Sequence, residues 1–367
     1  IKADDLKILV CTGNMGNAEP TIESMERWIP LGGECFFLNP LDGNNNNHDG
    51  ATNSTLAGTF DLIVIGMQEA NWKKRNNGKD NPRGSTIHFE RSLNEEALFN
   101  ALEEHSTVQV RNIVSNILGE SYTQLVEEQR GEMRLSIWAA DAVVDSIVNI
   151  RINGANTGIG NVLANKGGIV TTMDYRRTRI SFLSAHLAAH EGKSNFKSRC
   201  EDMRIILKES NTFGLHETLD VATSSHHIFV LGDLNFRTCF DERSKMNHSN
   251  HQQQNAKGED FKRAMRMIEA KDYSGLYHFD ELQRGISNEE LLLDFCTLPC
   301  NFPPTFKVLR QSGFFYQHHR IPSYTDRILF KSSEGLSANL KVLSYEACPG
   351  FNTSDHKPVR GAYNITP

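Results

Sequence analysis

The stretch HHIFVLGDLNFR, residues 226–237, is a short apolar run that ends abruptly in polar residues. Its apolar part, 228–231, is too short for a helix and predicts a buried strand. After the tight turn that Gly232 permits, Asp233 and Asn235 lie two residues apart and can point the same way along an extended chain. Because α/β enzymes carry much of their chemistry where strands end, Asp233 is a candidate base and Asn235 a candidate amide partner. A turn of this kind more commonly ends a strand without any chemical role. Whether it belongs to a functional site therefore depends on the other motifs in the chain.

The composition is that of an ordinary globular chain of 367 residues, 38% hydrophobic and 23% charged. The 39 basic and 45 acidic residues give a net charge of −6, which argues against binding nucleic acid mainly through bulk positive charge. Seven cysteines without paired CxxC spacing indicate reduced thiols rather than disulfides or a zinc site. We find neither a signal peptide nor an apolar run of about 18 residues, so no transmembrane segment is predicted. The chain starts without Met and shows no break in composition, so we interpret residues 1–367 as a single domain excised from a longer protein.

Three further predicted strands also end in polar residues. The strands, each with the polar residues that follow it, are 6–11 with Asn14, 62–65 with Gln68 and Glu69, and 180–183 with His186. His186 and His190 are four residues apart, a spacing that could bind zinc on a helix. This segment follows a strand and has no Glu between the two histidines, so only His186 is retained as a candidate site residue.

Other segments predict the framework around these strands. Helical spacing of apolar residues is found in 93–102, 108–118, 261–268 and 288–293. Residues 134–150 are typical of two strands in a hairpin-like pair, and the glycine-rich segment 157–168 predicts a turn before another strand. The polar segments 43–50 and 244–258 predict surface loops.

The polar residues together suit metal-assisted hydrolysis of a phosphoester. Glu69 and Asn14 offer hard oxygen ligands, which favour Mg²⁺ over Zn²⁺. Candidates for proton transfer and for orienting other groups are Asp233, Asn235, His186, Asp326, Asp355 and His356. Candidate cations for an anionic substrate are Lys166, Lys307, Arg320, Arg327 and Lys357. No GxSxG motif is present, so direct attack by water is favoured over a covalent intermediate.

With these residues in view, the sequence resembles the magnesium-dependent inositol polyphosphate 5-phosphatases of the endonuclease/exonuclease/phosphatase superfamily. GDLNFR (232–237) resembles the first signature of that family and PSYTDRIL (322–329) the second. Six further motifs occur in the family's order between residues 12 and 359, namely TGNMGN, GMQE, TGIGNVLANKGG, SAHLAAH, PPTFK and SDHKPV. The resemblance therefore covers nearly the whole chain.

The resemblance implies an α/β fold, a four-layer α/β sandwich with two stacked mixed β-sheets flanked by helices, as in DNase I-like proteins. It implies that Glu69, helped by Asn14, binds Mg²⁺, and that Asp233 and Asn235 position and activate water. His356, oriented by Asp326, would contact the scissile phosphate, and Asp355 would support the metal. The resemblance also implies contacts with the phosphates. His186 would contact the scissile phosphate or the leaving oxygen, and Asn165 and Lys166 would contact the 1-phosphate. The 4-phosphate would be held by Phe306, Lys307, His318 and Arg320, and Arg327 is a further candidate substrate-binding residue. Which group acts as the formal base is left open.

The activity that the resemblance implies is that of a phosphoric monoester hydrolase. It would remove the 5-phosphate from inositol polyphosphates or from phosphoinositides such as phosphatidylinositol 4,5-bisphosphate. The expected partner is an inositol phosphate or phosphoinositide headgroup, with peripheral contact with a membrane surface and no nucleic acid. A cytoplasmic location with recruitment to membranes is expected.

Three positions depart from the family pattern. Gly13 stands where Trp is usual, Phe306 where Tyr is common, and His318 where Lys is common. The last two predict weaker recognition of a 4-phosphate, because Phe has no hydroxyl and a neutral imidazole has no charge.

Two other functions remain open at this point. A magnesium-dependent nuclease of the same superfamily would share the core residues, although the negative net charge and the PPTFK and YTDRIL segments favour the inositide. A catalytically inactive inositide-binding module would need a lost catalytic residue, and every expected position is filled.

Overall fold

The computed structural model describes residues 5–35, 58–72, 95–158, 166–212, 219–240, 250–318 and 320–367, with only the helical backbone for 95–103 and 250–257. The strands within this part of the chain are β1 (Leu6–Asn14), β2 (Leu62–Gln68), β3 (Tyr122–Arg130), β4 (Met133–Ala140), β5 (Ile147–Asn156), β6 (Gly167–Tyr175), β7 (Thr178–His186), β8 (His227–Asp233), β9 (Cys296–Thr297), β10 (Asp326–Ser332), β11 (Leu340–Ala347) and β12 (Val359–Ile365). The α-helices are α1 (Ile22–Glu26), α2 (Glu95–Leu118), α3 (Asp141–Val144), α4 (Lys193–Glu209), α5 (Asn250–Glu269), α6 (Tyr273–Tyr277) and α7 (Glu281–Ser287).

The strands form two six-stranded sheets. The first has the order β11-β12-β1-β2-β4-β3, and the second has the order β5-β6-β7-β8-β10-β9. In each sheet one central pair is parallel, β1 with β2 and β7 with β8, and the other pairs are antiparallel. Both sheets are therefore mixed, as the resemblance implies.

The alternation of side chains along the central strands explains the layers. In β1, Ile8 and Val10 face the core between the sheets, whereas Leu9 and Cys11 belong to the cluster that includes the apolar side of α2. In β8, Phe229 and Leu231 face the same central core, and Ile228 and Val230 pack with residues of α4 on the outer side. Helices thus cover the outer face of each sheet, and the predicted four-layer α/β sandwich is confirmed.

The hairpin predicted for residues 134–150 is wrong. β4 pairs with β2 and β3 in the first sheet, whereas β5 pairs with β6 in the second sheet. The helical turn α3 lies between the two strands and carries the chain from one sheet to the other. Two neighbouring strand patterns do not reveal whether the strands share a sheet, because both sheets bury one face in the same core.

Helix predictions were partly confirmed. α2 is one continuous helix that joins the two predicted segments, and α5 contains 261–268 but begins at Asn250, inside the predicted loop 244–258. Residues 288–293 are not helical, because Glu289 and Leu292 have φ angles of 60° and 50°. The predicted loop at 43–50 lies outside the described residues. In the described part of the chain, no helix combines the length and the apolar character needed to span a membrane.

His227, at the start of β8, makes the stability of the fold depend on pH. Burial, together with the charge of His226, lowers the pKa of His227 to about 4, and its Nδ1 lies 2.9 Å from Ser332 Oγ. The unfolded chain therefore binds a proton near pH 6.5 that the folded chain takes up only near pH 4, so stability falls as the pH falls through this window. We predict that lowering the pH from 7 to 5 reduces the unfolding free energy of the wild type by about 2 kcal/mol more than it reduces that of His227→Gln. Urea titrations of both proteins at the two pH values measure this, and equal losses would contradict it.

Candidate active site

The ends of the central strands bring the predicted site residues to one edge of the sandwich. β7 and β8 run parallel, and their last residues, His186 and Asp233, are partners in register. β10 runs antiparallel to β8, so its first residue, Asp326, is also in register with Asp233. Three polar residues from three distant sequence segments therefore lie side by side at one end of the second sheet.

The first sheet contributes the ends of its own parallel pair to the same place. Asn14 Nδ2, at the end of β1, donates to Asp233 Oδ2 at 2.9 Å. The Asp233 backbone N–H donates to Gln68 Oε1, at the end of β2, at 3.2 Å. All three residues are at most 2% exposed, so the two sheets are joined at this edge by buried hydrogen bonds.

The turn after β8 needs the residues of the GDLN segment. A Cβ atom on Gly232 would lie 1.9 Å from the Ala185 carbonyl oxygen, so no larger residue fits there. Asn235 has a φ of 58°, in the left-handed region that Asn tolerates better than most residues. Its backbone N–H donates to Asp233 Oδ1 at 3.1 Å, and its Nδ2 donates to the Leu187 carbonyl at 3.1 Å. The turn thereby fixes both side chains of the predicted water-positioning pair.

Asp233 is a buried carboxylate surrounded by groups that favour its charged form. Burial alone would raise its pKa, but the hydrogen bond to His186 and the charges of His356, His186 and Lys166 hold the pKa below its usual range. His186 Nε2 lies 3.5 Å from Asp233 Oδ2 and 3.9 Å from Glu69 Oε1, and Lys166 Nζ contacts the same imidazole nitrogen. Asp233 is therefore ionised at neutral pH and can accept a hydrogen bond from water.

His356 is held by a second carboxylate. Its Nδ1 lies 2.9 Å from Asp326 Oδ2, which also accepts hydrogen bonds from Thr305 at 2.7 Å and Thr325 at 3.0 Å. Burial lowers the pKa of His356, but the charge and hydrogen bond of Asp326, with the charge of Asp233, raise it to about 9. His356 is therefore an imidazolium at neutral pH, and the bond at Nδ1 leaves Nε2 as the atom that can donate to a substrate.

A third carboxylate, Asp355, links the site to a neighbouring loop. It pairs with Lys307 at 2.9 Å and with Arg310 at 3.6 Å. Burial raises the pKa of Asp355, but the charges of His356, Lys307 and Arg310 lower it further than burial raises it. The ring of Phe306, the residue that stands where Tyr is common, packs on His356 with 4.5 Å between the ring centroids.

The residues that support this set were not among the predicted site residues. Arg237 NH2 donates to Asn235 Oδ1, and its backbone N–H donates to Glu281 Oε2, which also binds the buried Arg199. Ser354 Oγ donates to the Asn14 carbonyl at 2.6 Å and accepts from the His356 N–H at 3.1 Å. Arg237 lies in the motif GDLNFR, Ser354 in SDHKPV, and Thr305 in PPTFK. Their position inside these motifs is the signal by which the sequence could have identified them.

Not all the predicted substrate-binding residues reach the site. Arg327 is wrong as a substrate ligand in this structure, because its guanidinium is 0% exposed and pairs with Asp280 at 2.7 Å. The ammonium of Lys357 is likewise used inside the protein, where it donates to the carbonyls of Gln311 and Phe351. His318 and Arg320 are exposed on the loop that follows Lys307, and the charge of Arg320 acts on Arg237. Asn165 lies outside the described residues.

The residues present fit a hard divalent cation. Glu69 directly follows β2 and is 36% exposed, and among the described residues its one ion pair is the 3.9 Å contact with His186. Asn14 accepts the Gly16 N–H at 2.8 Å, which leaves one lone pair on its Oδ1. Asp233, Asp326 and His356 also offer ligand atoms within 4.8 Å of one another, but a protonated His356 cannot bind a metal. Glu69 and Asn14 therefore remain the predicted ligands of the metal.

Two stacked mixed sheets with this set of carboxylates and histidines at one edge define a DNase I-like α/β sandwich. The chain belongs to Endonuclease/Exonuclease/phosphatase family 2, whose sequence model matches residues 12–362. Inositol-1,4,5-trisphosphate 5-phosphatase 1 of Schizosaccharomyces pombe is 28% identical over 248 residues, 67% of this chain and 20% of that protein. Polyphosphatidylinositol phosphatase INP53 of Saccharomyces cerevisiae is 31% identical over 218 residues, 58% of this chain and 17% of that protein. The chain thus matches about a fifth of the length of these relatives.

Two kinds of solved structure share the fold. The inositol polyphosphate 5-phosphatase domain of spsynaptojanin, in complex with inositol (1,4)-bisphosphate and calcium ion, gives a TM-score of 0.67 at 22% identity, covering 99% of this chain and 84% of the other. The F64V mutant of Cimex nitrophorin, a ferrous NO complex, gives a TM-score of 0.64 at 18% identity, covering 99% of both chains. Because proteins with such different ligands share the fold, the function has to be argued from the site.

We predict that Asp326→Asn lowers the pKa of His356 from about 9 by about 1–3 units, since the variant keeps the shape but loses the charge that stabilises the imidazolium. NMR titration of the histidine side chains measures the change, and the His227 resonance serves as an internal reference. Asp294→Asn, which removes an exposed carboxylate paired with Lys331, is the matched control. An unchanged His356 titration in Asp326→Asn would exclude the pairing with Asp326 as the cause of the raised His356 pKa.

Proposed function

We propose that this chain hydrolyses the 5-phosphate of inositol polyphosphates and of phosphoinositides such as phosphatidylinositol 4,5-bisphosphate, in a Mg²⁺-dependent reaction. The observation that carries the proposal is the pair of buried groups with opposite charge at the sheet ends: the Asp233 carboxylate beside His186, and the His356 imidazolium held by Asp326. The names of the 5-phosphatase relatives support the substrate class.

In this mechanism Asp233 orients the attacking water by accepting one of its hydrogen bonds. Asn235 has one amide hydrogen and one oxygen lone pair left after its contacts with Leu187 and Arg237, and these can hold the same water. Mg²⁺ bound by Glu69 and Asn14 would polarise the phosphate and lower the pKa of a bound water. Attack forms a bond between the water oxygen and phosphorus and breaks the bond between phosphorus and the inositol oxygen. The inositol oxygen leaves as a hydroxyl after taking up a proton, the other product is inorganic phosphate, and no covalent intermediate with the protein forms.

The cations of the site would stabilise the negative charge of the transferred phosphoryl group. His356 can donate from Nε2 to a phosphate oxygen, because Asp326 occupies its Nδ1. His186 and Lys166 lie on the other side of Asp233, where they can contact a phosphate or the leaving oxygen. Burial lowers the pKa of Lys166 below its usual value, and the charges of Asp233 and Glu69 offset only part of that effect.

Recognition of a 4-phosphate is assigned to the loop that begins at Phe306. Lys307 already lies at the site through its contact with Asp355, and the exposed Arg320 and His318 follow on the same loop. Phe306 packs on His356 and offers no hydroxyl, so Lys307 and Arg320 would supply most of the binding to a 4-phosphate. Asn165 and Lys166 are proposed for the 1-phosphate. On a lipid substrate the chain would work at a membrane surface, and a cytoplasmic location stays a prediction.

A panel of phosphate-release assays tests the proposal. We expect Mg²⁺-dependent release from inositol 1,4,5-trisphosphate and from phosphatidylinositol 4,5-bisphosphate, no release from inositol 1,4-bisphosphate, and no nicking of supercoiled plasmid. Asp233→Asn should lower kcat by at least about a hundredfold, because the charge that orients water is lost. Asp174→Asn, on the distant end of β6 where it pairs with Arg179, should match the wild type. Plasmid nicking would favour a nuclease, and magnesium-independent binding without turnover would favour an inactive binding module.

Glu69→Gln tests the metal ligand, because the substitution preserves shape and removes charge. We expect the Mg²⁺ concentration that gives half-maximal activity to rise at least about tenfold, with little change in unfolding free energy. Calorimetric titration with Mg²⁺ gives a second reading that does not depend on turnover. Glu26→Gln, on the exposed side of α1, is the control, and an unchanged midpoint in Glu69→Gln would remove Glu69 from the metal site.

A further inference from the structure

An exposed pair of apolar side chains lies on the hairpin 308–316, which begins beside the candidate active site. Leu309 is 42% exposed and Phe315 is 54% exposed, and neither has a role in the chemistry proposed above. We call these two residues the apolar pair.

The pairing of the hairpin strands places both side chains on the outer face. The Leu309 N–H donates to the Phe315 carbonyl at 2.7 Å, so the two residues lie opposite each other. Val308 and Tyr316, the neighbouring pair, are 0% and 9% exposed and point the other way. Since side chains alternate along a strand, the apolar pair shares its face with Lys307. Lys307 contacts Asp355, so the apolar pair is only two residues along the same face, about 7 Å, from a residue of the site.

The hairpin is held firmly in this position. The Val308 N–H donates to the Asp355 carbonyl at 2.9 Å, and the Gly313 N–H donates to the Pro349 carbonyl at 2.8 Å. The buried Lys357 ammonium donates to the Gln311 carbonyl at 2.6 Å, near the hairpin tip. A buried cation thus helps to fix a loop that presents two apolar side chains to water, and these side chains would gain free energy on moving from water into an apolar environment.

The charge around the apolar pair indicates the kind of partner. Residues 306–320 contain Lys307, Arg310 and Arg320 and no Asp or Glu, in a chain whose net charge is −6. The Asp355 carboxylate, which pairs with Lys307 and Arg310, offsets one of these three positive charges, so the surface around the apolar pair stays positive. Arg310 is 45% exposed and Arg320 is also exposed. Apolar side chains flanked by Arg and Lys suit the boundary between the headgroups and acyl chains of an anionic bilayer.

We propose that the apolar pair inserts into the surface of an anionic phospholipid bilayer and so holds the active site against the membrane. This inference rests on the proposed function for its biological sense, because a lipid substrate reaches the site only where the site meets the bilayer. The contact itself depends on the bilayer and not on a bound headgroup, so vesicles that contain no substrate can test it.

Vesicle binding by the double variant Leu309→Ser/Phe315→Ser is the first test. The probes are vesicles of phosphatidylcholine alone and vesicles in which a minority of the lipid is phosphatidylserine. We expect the wild type to bind the phosphatidylserine vesicles more tightly, with an affinity that falls as salt rises, and the double variant to bind them at least about tenfold more weakly. Leu31→Ser, which removes a more exposed Leu (64%) far from the site, should bind as the wild type does.

Activity on two substrates separates a membrane role from a structural one. The double variant should keep the wild-type kcat/KM for water-soluble inositol 1,4,5-trisphosphate and lose turnover of phosphatidylinositol 4,5-bisphosphate in vesicles. An equal loss on both substrates would overturn the inference and leave the proposed function intact. If the wild type hydrolyses neither substrate, the proposed function fails, while the phosphatidylserine vesicles still decide whether the apolar pair binds a bilayer.

Phe315→Trp shows where the side chain lies. The three natural tryptophans, Trp28, Trp72 and Trp138, are at most 4% exposed, so quenching by lipids brominated on their acyl chains reports mainly on the new one. We expect quenching with phosphatidylserine-containing vesicles and none with phosphatidylcholine alone. Unquenched fluorescence on bound vesicles would overturn the inference. It would also be overturned if the double variant lost self-association while its vesicle binding was unchanged, because that result would identify a second copy of the chain as the partner.

Discussion

The hydrogen bond from Asn14 to Asp233 is the contact on which the candidate site depends. It joins two separate sheets at the edge where their parallel strands end, and both residues are almost fully buried. Hydrogen bonds to charged groups contribute about 1.5–3 kcal/mol, more than neutral ones. The larger effect here is geometric, because Glu69 follows the first sheet whereas His186, Asp233 and Asp326 belong to the second. The predicted metal ligands and the carboxylate predicted to orient water keep their relative positions only while the two sheets stay in register.

The charged groups in this part of the protein are of two kinds: those that lie at the strand ends in the candidate site, and those that neutralise each other in a buried ion pair. Asp233 and His356 keep opposite charges within a buried cluster, and each is supported by neighbours that stabilise its ionised form. Behind them, Arg327 and Asp280 form an ion pair in which both side chains are 0% exposed. His186 Nδ1 is buried without a hydrogen-bond partner among the described residues, a cost of the kind that active sites carry more commonly than cores do.

The sequence was sufficient to predict the layers, and it pointed to most of the polar residues that the structure brings together, because both follow from strands that end in polar residues. Asp233 and His186 were found from the ends of apolar runs, and the register of β7 with β8 then places them together. Arg327 was misassigned although the alternation of a strand contains the answer: Asp326 faces the site, so its neighbour Arg327 points to the opposite face of β10. The wrong hairpin prediction for residues 134–150 could not have been avoided in this way, because alternation reveals which face of a strand is buried but not which sheet the strand joins. Arg237 and Thr305 act through other residues, and a sequence pattern does not show such indirect contacts.

The pairing of β12 with β1 has a consequence for how the protein is made. Leu6 pairs with Ile365, and β12 fills the position between β1 and β11, so the middle of the first sheet combines strands from opposite ends of the described chain. While a ribosome is still translating the central strands, β1 has one edge without a partner, and His356 does not yet exist. Contacts between residues so far apart in sequence form late and slow folding. The emerging chain therefore has an exposed strand edge for chaperones to protect, and the candidate site is complete only once the segment that carries His356 has been synthesised.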